Sequence, residues 1–372
     1  MRVISERGAT LDVRRHPHPR PLPEYRARGQ DNGSSPPTAR PRRDFASRCS
    51  LGYRGVRMLS ASLRLGIVAA ALSDDPRAVP RLARVAGFDG VLYDAYSTTL
   101  SLPDLSITGR REFRRLLSAE GRDLVGLRAD AGPKGFAPGA DVDRVLSRLE
   151  RAMEAAAGLQ AGSGQAPLVC CDVGPLPQPP AQPAPNRAVT PQMAGLLILP
   201  TADEIASAAT ADADRTPAPA APSPADVAMA SQVDAALFEL GRRADRYGVT
   251  VALRSDLASF AALERALARA ACPWFGVDLD PVAILRDEWP LDEILSRLGP
   301  LVRHVRARDA TRGGGGRTMP AVIGQGSTNW PQLLAALDAS GYSGWVTIDP
   351  LEHPDRRAAA AQGLAHLRPV QG

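Results

Sequence analysis

The chain has 372 residues, 44% of them hydrophobic, which suits one large α/β barrel or two average domains. No apolar run reaches the ~18 residues of a membrane-spanning helix, so no membrane partner is expected. The formal charge of +5 is uneven: residues 1–57 hold thirteen arginines and five acids, or +8, and the remainder carries −3. A mildly acidic remainder argues against a nucleic-acid partner despite the basic total.

Residues 1–57 alternate Arg, Pro, Gly and Ser without an apolar period and are expected to be disordered. They lack the apolar stretch of a secretory signal. Three readings stay open: a solvated tail, an Arg-rich transit segment that its prolines oppose, or an untranslated leader with Met58 as the start. The ordered part is expected over 58–372.

A first strand is predicted over 63–69. Asp75-Pro76 then opens a helix with Val79, Leu82, Ala83 and Ala86 on one face, closed by Gly87. A second strand over 91–93 leads to a helix carrying Phe113, Leu116 and Leu117, ended at Gly121. Strand 123–129, a helix over 141–157 with Val145, Leu149 and Met153 inward, and strand 168–173 follow. The pattern breaks at Pro/Ala tracts around Leu196–Leu199, read as a low-complexity loop insertion over 175–226.

Order is expected to resume at Val233, in a helix with Leu237, Leu240 and Ala244 that stops at Gly248. Strand 249–253, a helix with Phe260, Leu263 and Leu267, and strand 275–279 come next. Leu291, Ile294, Leu295 and Leu298 mark another helix, ended by Gly299-Pro300. Strand 301–307 is followed by a glycine loop at 313–316, a helix bearing Trp330, Leu333, Leu334 and Leu337, strand 345–348 and a last helix over 356–367. About eight strands separated by helices pair in parallel through right-handed crossovers and close into a (β/α)8 TIM barrel. The competing doubly wound sheet needs a glycine-rich phosphate turn after the first strand, and residues 69–75 contain no glycine.

Cys49, Cys170, Cys171 and Cys272 show no CxxC spacing and are read as reduced thiols of a cytoplasmic protein. Cys170 and Cys171, adjacent in a strand, should face opposite sides. Lys134, the single lysine, lies in a loop and argues against Schiff-base chemistry.

The phrases GFDGV (87–91), ADRYGVTVAL (244–253), FGVDLDP (275–281), RHVRARDA (303–310), IGQGSTNWPQLLAALDASGYSGW (323–345) and VTIDP (346–350) stand in order along the chain. Together they resemble the sugar phosphate isomerase/epimerase group, whose xylose isomerase-like barrel also occurs in the family-two AP endonucleases. The resemblance implies a TIM barrel and a divalent metal (Mn, Mg, Zn or Co) at its C-terminal mouth. It implies ligands from a glutamate ending strand five, an aspartate and histidine after strand six, a histidine in strand seven and a glutamate ending strand eight. Such a metal polarises a carbonyl while a carboxylate moves the carbon-bound proton.

At those positions this chain has Arg254, Asp280, Ala283, Arg306 and Asp349, with His304 retained. Arginine cannot ligate a metal and repels one. The expectation is therefore a degraded metal site, metal ligands largely replaced, and no metal cofactor. Asp280 and Asp349 are the candidate catalytic residues; Arg254, Arg306, Arg128, Asp172, His304 and Arg308 are the candidate substrate-binding residues. Asp130, Asp256 and Glu352 could line the same cavity. The partner is expected to be a small carbohydrate or anion, since guanidinium forks suit phosphate or carboxylate. Two functions stay open: an isomerase or epimerase of a small sugar, polyol or sugar phosphate, or a non-catalytic barrel binding an anion or a protein. A nuclease of AP endonuclease type needs metal-binding His and Glu residues that these positions lack.

Overall fold

A computed structural model describes residues 63–179, 223–313 and 317–368. The tail expected over 1–57 and most of the insertion expected over 175–226 lie outside those residues.

Eight parallel strands close in the order β1 (Arg64–Val68), β10 (Trp345–Ile348), β7 (Val302–Ala307), β6 (Phe275–Leu279), β5 (Thr250–Arg254), β4 (Leu168–Asp172), β3 (Asp123–Arg128), β2 (Gly90–Asp94). The helices are α1 (Val79–Ala86), α2 (Ile107–Ala119), α3 (Val142–Gln160), α4 (Pro224–Tyr247), α5 (Phe260–Ala270), α6 (Pro281–Arg286), α7 (Leu291–Leu298), α8 (Trp330–Ala339) and α9 (Arg356–Leu367). This is the expected TIM barrel. No described helix is long and apolar enough to cross a membrane.

Local chemistry sets the helix ends. Side chains of Ser106, Asp141, Ser259, Asn329 and Asp355 accept hydrogen bonds from first-turn amides of their helices. Gly87 and Gly248 end α1 and α4 in the left-handed conformation, at φ 88° and 60°. The helix expected from Val233 starts at Pro224 instead, because Ser223 and Asp226 form a reciprocal capping box. Alanine and valine at 225–231 carry no clear apolar stripe, so periodicity did not reveal that turn.

On either side of the glycine-rich stretch in sequence, β8 (Asp309–Arg312) and β9 (Thr318–Ala321) pair antiparallel, which was not predicted. The strands are four residues each and mostly exposed, so no apolar alternation betrays them. What holds this excursion in place is Asp309, buried at 2% exposure. Its carboxylate accepts from the amides of Ala310, Gly324, Gly326 and Thr328 and from Trp330 Nε1, at 2.9–3.3 Å. The phrase IGQGSTNW is thus a loop wrapped around one carboxylate.

Strand alternation separates two cores. Outward residues such as Leu65, Ile67, Val91, Leu127, Val277 and Val305 pack under the helices. Inward residues Val68, Leu92, Val125, Leu168, Cys170, Ala252 and Trp345 fill the barrel. Cys170 and Cys171 do face opposite ways, one in each core. Trp345 closes the amino end of the barrel, with Arg64 stacked 3.8 Å from its ring centroid. The indole fits because Gly90 has no Cβ; one built there would lie 2.7 Å from the ring. The barrel is therefore sealed below, and its chemistry is confined to the opposite end.

Replacing Asp309 with Ala strands several buried donors at ~1–3 kcal/mol each before relaxation. Asp309→Ala should lower unfolding stability by roughly 3 kcal/mol or more, read as a reduced denaturant midpoint; an unchanged midpoint would show that the carboxylate does not hold the loop.

Candidate functional site

Polar residues occupy the inward positions of β3 to β7 and β10 in two layers. The lower layer contains Cys170 of β4, Asp278 of β6, His304 of β7 and Thr347 of β10. Asp278 and His304 are register partners on neighbouring strands. His304 is fully buried; its Nδ1 lies 2.6 Å from Asp278 Oδ1 and its Nε2 2.7 Å from Thr347 Oγ1. Cys170 reaches the group across β5, whose inward residue there is the small Ala252. Ligand atoms of Cys170, Asp278 and His304 all lie within 4.8 Å of one another.

The upper layer, two residues further along each strand, holds the arginines and aspartates predicted from the sequence. Arg306 donates to Asp349 Oδ2 from Nε at 2.6 Å, and its Nη2 lies 2.5 Å from the same oxygen. Arg128 bridges Asp94, at 2.6 Å, and Asp349, at 3.3 Å. Arg254 pairs with Asp256 at 2.7 Å and Asp172 at 3.3 Å, while its Nε stays 4.0 Å from Asp278 Oδ2. Arg308 pairs with Asp280 and, at 2.8 Å, with Glu352. Asp280 also caps α6, accepting from Val282 N at 3.0 Å. In this layer Arg306 Nη1 and Arg308 Nε are buried without a hydrogen-bond partner among the described residues.

Seven of the eight predicted site residues meet in this upper layer. His304 sits below it, closed off from the mouth. Beside the mouth, a cleft of about 280 Å³ between the ends of β1 and β2 is lined by Asp74, Tyr93, Asp94, Tyr96 and Thr99, among others. Asp94 joins that cleft to the central arginines through Arg128.

Electrostatics follow from burial and pairing. Burial opposes the charge of Asp349, but Arg306 and Arg128 outweigh it and hold the carboxyl below its ordinary value. Burial likewise opposes the charge of Asp278, and His304, Arg254 and Arg306 overcome it, so this carboxyl is lowered too. Asp172 goes the other way: burial raises it, and Arg254 only partly compensates. Burial, reinforced by Asp278, pushes the Cys170 thiol well up. The Arg306 guanidinium is raised: burial opposes its charge, but Asp349, Asp280 and Asp278 prevail.

These observations correct the sequence expectation. A degraded metal site, metal ligands largely replaced and no metal cofactor were expected, together with a possible non-catalytic barrel. The buried Cys170/Asp278/His304 cluster overturns that reading. Cys170 and Asp278 were missed, and His304 was assigned to substrate binding, because all three lie one layer beneath the strand-end positions that the resemblance pointed to. Cys170 was read as a plain core thiol, and Asp278 was not singled out. The signal was present: Cys170, Asp278 and His304 each stand two residues before a charged strand-end residue, so each points to the barrel axis. The repulsion argument also fails. Arg306 is engaged by Asp349, and Arg254 by Asp172 and Asp256, so their charges are locally matched.

The donor chemistry fits a divalent ion. A thiol sulfur, a carboxylate and an imidazole are the side chains that bind zinc-like metals. Asp278 Oδ2 has no hydrogen-bond partner among the described residues, since Arg254 Nε lies at 4.0 Å. His304 would exchange one of its two hydrogen bonds for the ion.

The family model of the xylose isomerase-like TIM barrel matches residues 202–370. The solved structure of a xylose isomerase domain protein from Planctomyces limnophilus shares the architecture at TM-score 0.55 and 16% identity, over 83% of this chain and 98% of that one. The chain is a TIM barrel similar over residues 202–370 to the xylose isomerase-like family. The same barrel is seen in 3-keto-D-glucoside 4-epimerase from E. coli (TM-score 0.54, 18% identity, 82% of this chain and 99% of that one). It is also seen in a xylose isomerase-like TIM barrel protein from Mycobacterium smegmatis solved in complex with magnesium (TM-score 0.54, 14% identity, 83% and 95%). At such identities the likeness to solved structures is one of fold. No curated protein sequence matches the chain.

Because the folded carboxyl of Asp349 is lowered, its stabilisation is fully present above its unfolded value of about 3.9. It is lost as pH falls through the lower folded value. Unfolding free energy should thus fall more steeply on acidification in wild type than in Asp349→Asn. Parallel profiles would show that the Arg306–Asp349–Arg128 pairing contributes no pH-dependent stability.

Proposed function

We propose that this barrel is a metal-assisted isomerase or epimerase acting on a small sugar, polyol or sugar phosphate at its C-terminal mouth. One observation carries the reading: a metal-capable donor set lies within the barrel, one strand step below the carboxylates of Asp280 and Asp349. When bound, a divalent ion supplies Lewis acidity to a substrate carbonyl. Cys170, Asp278 and His304 are the residues that would hold it.

The remaining roles fall to the upper layer. Arg306 Nη1 and Arg308 Nε are donors without an acceptor among the described residues, suited to substrate hydroxyl or anionic oxygens. Asp280 is the proton carrier next to the donor set. Its carboxylate pairs with Arg308 and accepts from Val282 N at 3.0 Å, and a substrate oxygen would compete for that guanidinium. Asp349 is anchored by two arginines, and its lowered pKa weakens it as a base. Asp172, whose carboxyl burial raises, takes up a proton more readily than Asp349, whose carboxyl is lowered. Arg254 fixes the position of Asp172. Arg128 and Asp94 align the cleft between β1 and β2 with the mouth, where a longer substrate would extend.

The carboxylate-rich mouth is unsuited to a nucleic-acid backbone, which supports a small-molecule partner. A functional thiol at Cys170 requires a reducing compartment, in line with a cytoplasmic location.

The test is hydrogen exchange. Protein supplied with divalent metal is incubated in deuterated water with small ketoses, aldoses and their phosphates. Deuterium should appear on the carbon beside the carbonyl, and Asp280→Asn should slow its entry by about 10²- to 10⁴-fold. Absence of exchange across the panel, or full activity in Asp280→Asn, would contradict the assignment.

A further inference from the structure

The inner layer holds more information than the presence of a site. Of its three donors, one is sulfur. A cation held at strand-end carboxylates meets oxygen and nitrogen ligands and can be magnesium or manganese. A thiolate is a soft donor, and soft donors favour zinc and its close analogues over hard ions. We propose that Cys170, Asp278 and His304 form a buried site for a thiophilic divalent ion, zinc rather than magnesium or manganese. The inference rests on the functional reading above only in placing that ion beneath the mouth; its donor preference follows from the residues alone.

The geometry supports each ligand. Cys170 is 2% exposed and makes no side-chain hydrogen bond among the described residues, so its sulfur is free to bond. Asp278 has one oxygen held by His304 at 2.6 Å, and its other oxygen is 4.0 Å from the nearest guanidinium nitrogen. For His304 the two hydrogen bonds are unequal. The contact with Asp278 is supported by a carboxylate charge, whereas Thr347 offers a neutral hydroxyl at 2.7 Å. Nδ1 faces Asp278 and Nε2 points away from it, so Nδ1 is the nitrogen that can share an ion with the Asp278 carboxylate. The Thr347 contact at Nε2 would keep the ring oriented, as hydrogen-bond partners of ligating histidines do at zinc sites.

Surrounding charge is also compatible. Arg254 and Arg306 approach the layer from above, but Asp172, Asp256 and Asp349 already match them. The three ligands lie at 0–5% exposure, which shields the sulfur from solvent oxidants and excludes a purely surface-bound ion.

The experiment reads the metal and not turnover. Purified protein is stripped of metal, and then titrated with zinc, magnesium, manganese and cobalt. One equivalent of zinc should bind and persist against excess magnesium. The cobalt form should show a near-ultraviolet sulfur-to-cobalt charge-transfer band. Cys170→Ser should lose that band and bind zinc at least about tenfold more weakly, whereas Cys272→Ser should behave as wild type. The wild-type cobalt spectrum needs no variant, so a misfolded Cys170→Ser would not remove the test. A cobalt complex without the sulfur band, preference for magnesium or manganese, or unchanged zinc binding in folded Cys170→Ser would overturn the proposal. Failure of sugar exchange with the sulfur band intact would instead refute the functional reading and leave this site standing.

Discussion

Closing eight parallel strands forces every second side chain onto the barrel axis, and the remainder of this molecule follows from what stands at those positions. At the amino end the axis is apolar and plugged by Trp345. At the carboxyl end it carries two polar layers, neither of which could be buried alone. Arginines without the aspartates would leave unpaired charge in a low-dielectric interior, at several kcal/mol per ion. Aspartates without the arginines would be driven to take up protons. The lower layer, with Asp278, His304 and Thr347 joined at 2.6 and 2.7 Å, relies on Arg254 and Arg306 above it to help offset the charge of Asp278.

This stacking reconciles the two features that conflicted when only strand ends were considered. Guanidiniums at Arg254 and Arg306 look hostile to a cation if each is counted as a free positive charge. In the folded barrel each is consumed by neighbouring carboxylates, and the cation-binding donors lie one step deeper. Local charge matching, and not residue identity at one position, decides what the pocket can hold. Arg306 Nη1 and Arg308 Nε, without an acceptor among the described residues, are then the part of the arginine layer still open to a ligand.

The architecture was legible because its determinants are local. Leucine and isoleucine spacing marked α5 and α7, glycines marked the ends of α1 and α4, and short β-rich runs marked all eight barrel strands. The start of α4 and the β8–β9 hairpin were not legible, since a capping box on an alanine-rich turn and two exposed four-residue strands leave no apolar period. In the site, Arg306, Asp349, Arg308 and Asp280 were found from their place at strand ends, and they do meet. Cys170 and Asp278 were missed for a physical reason: their meaning depends on which barrel layer they share, and layer membership comes from register across β4, β5, β6 and β7. Nothing within five residues of Cys170 announces that Asp278 and His304 will face it.

The claim on which the account stands is that the deeper layer is the cation-binding one. Anomalous diffraction at the zinc edge from zinc-loaded crystals tests it directly. A single peak enclosed by Cys170, Asp278 and His304 is the predicted result. A peak among Asp280, Asp349 and Glu352, or none in the barrel, would contradict it.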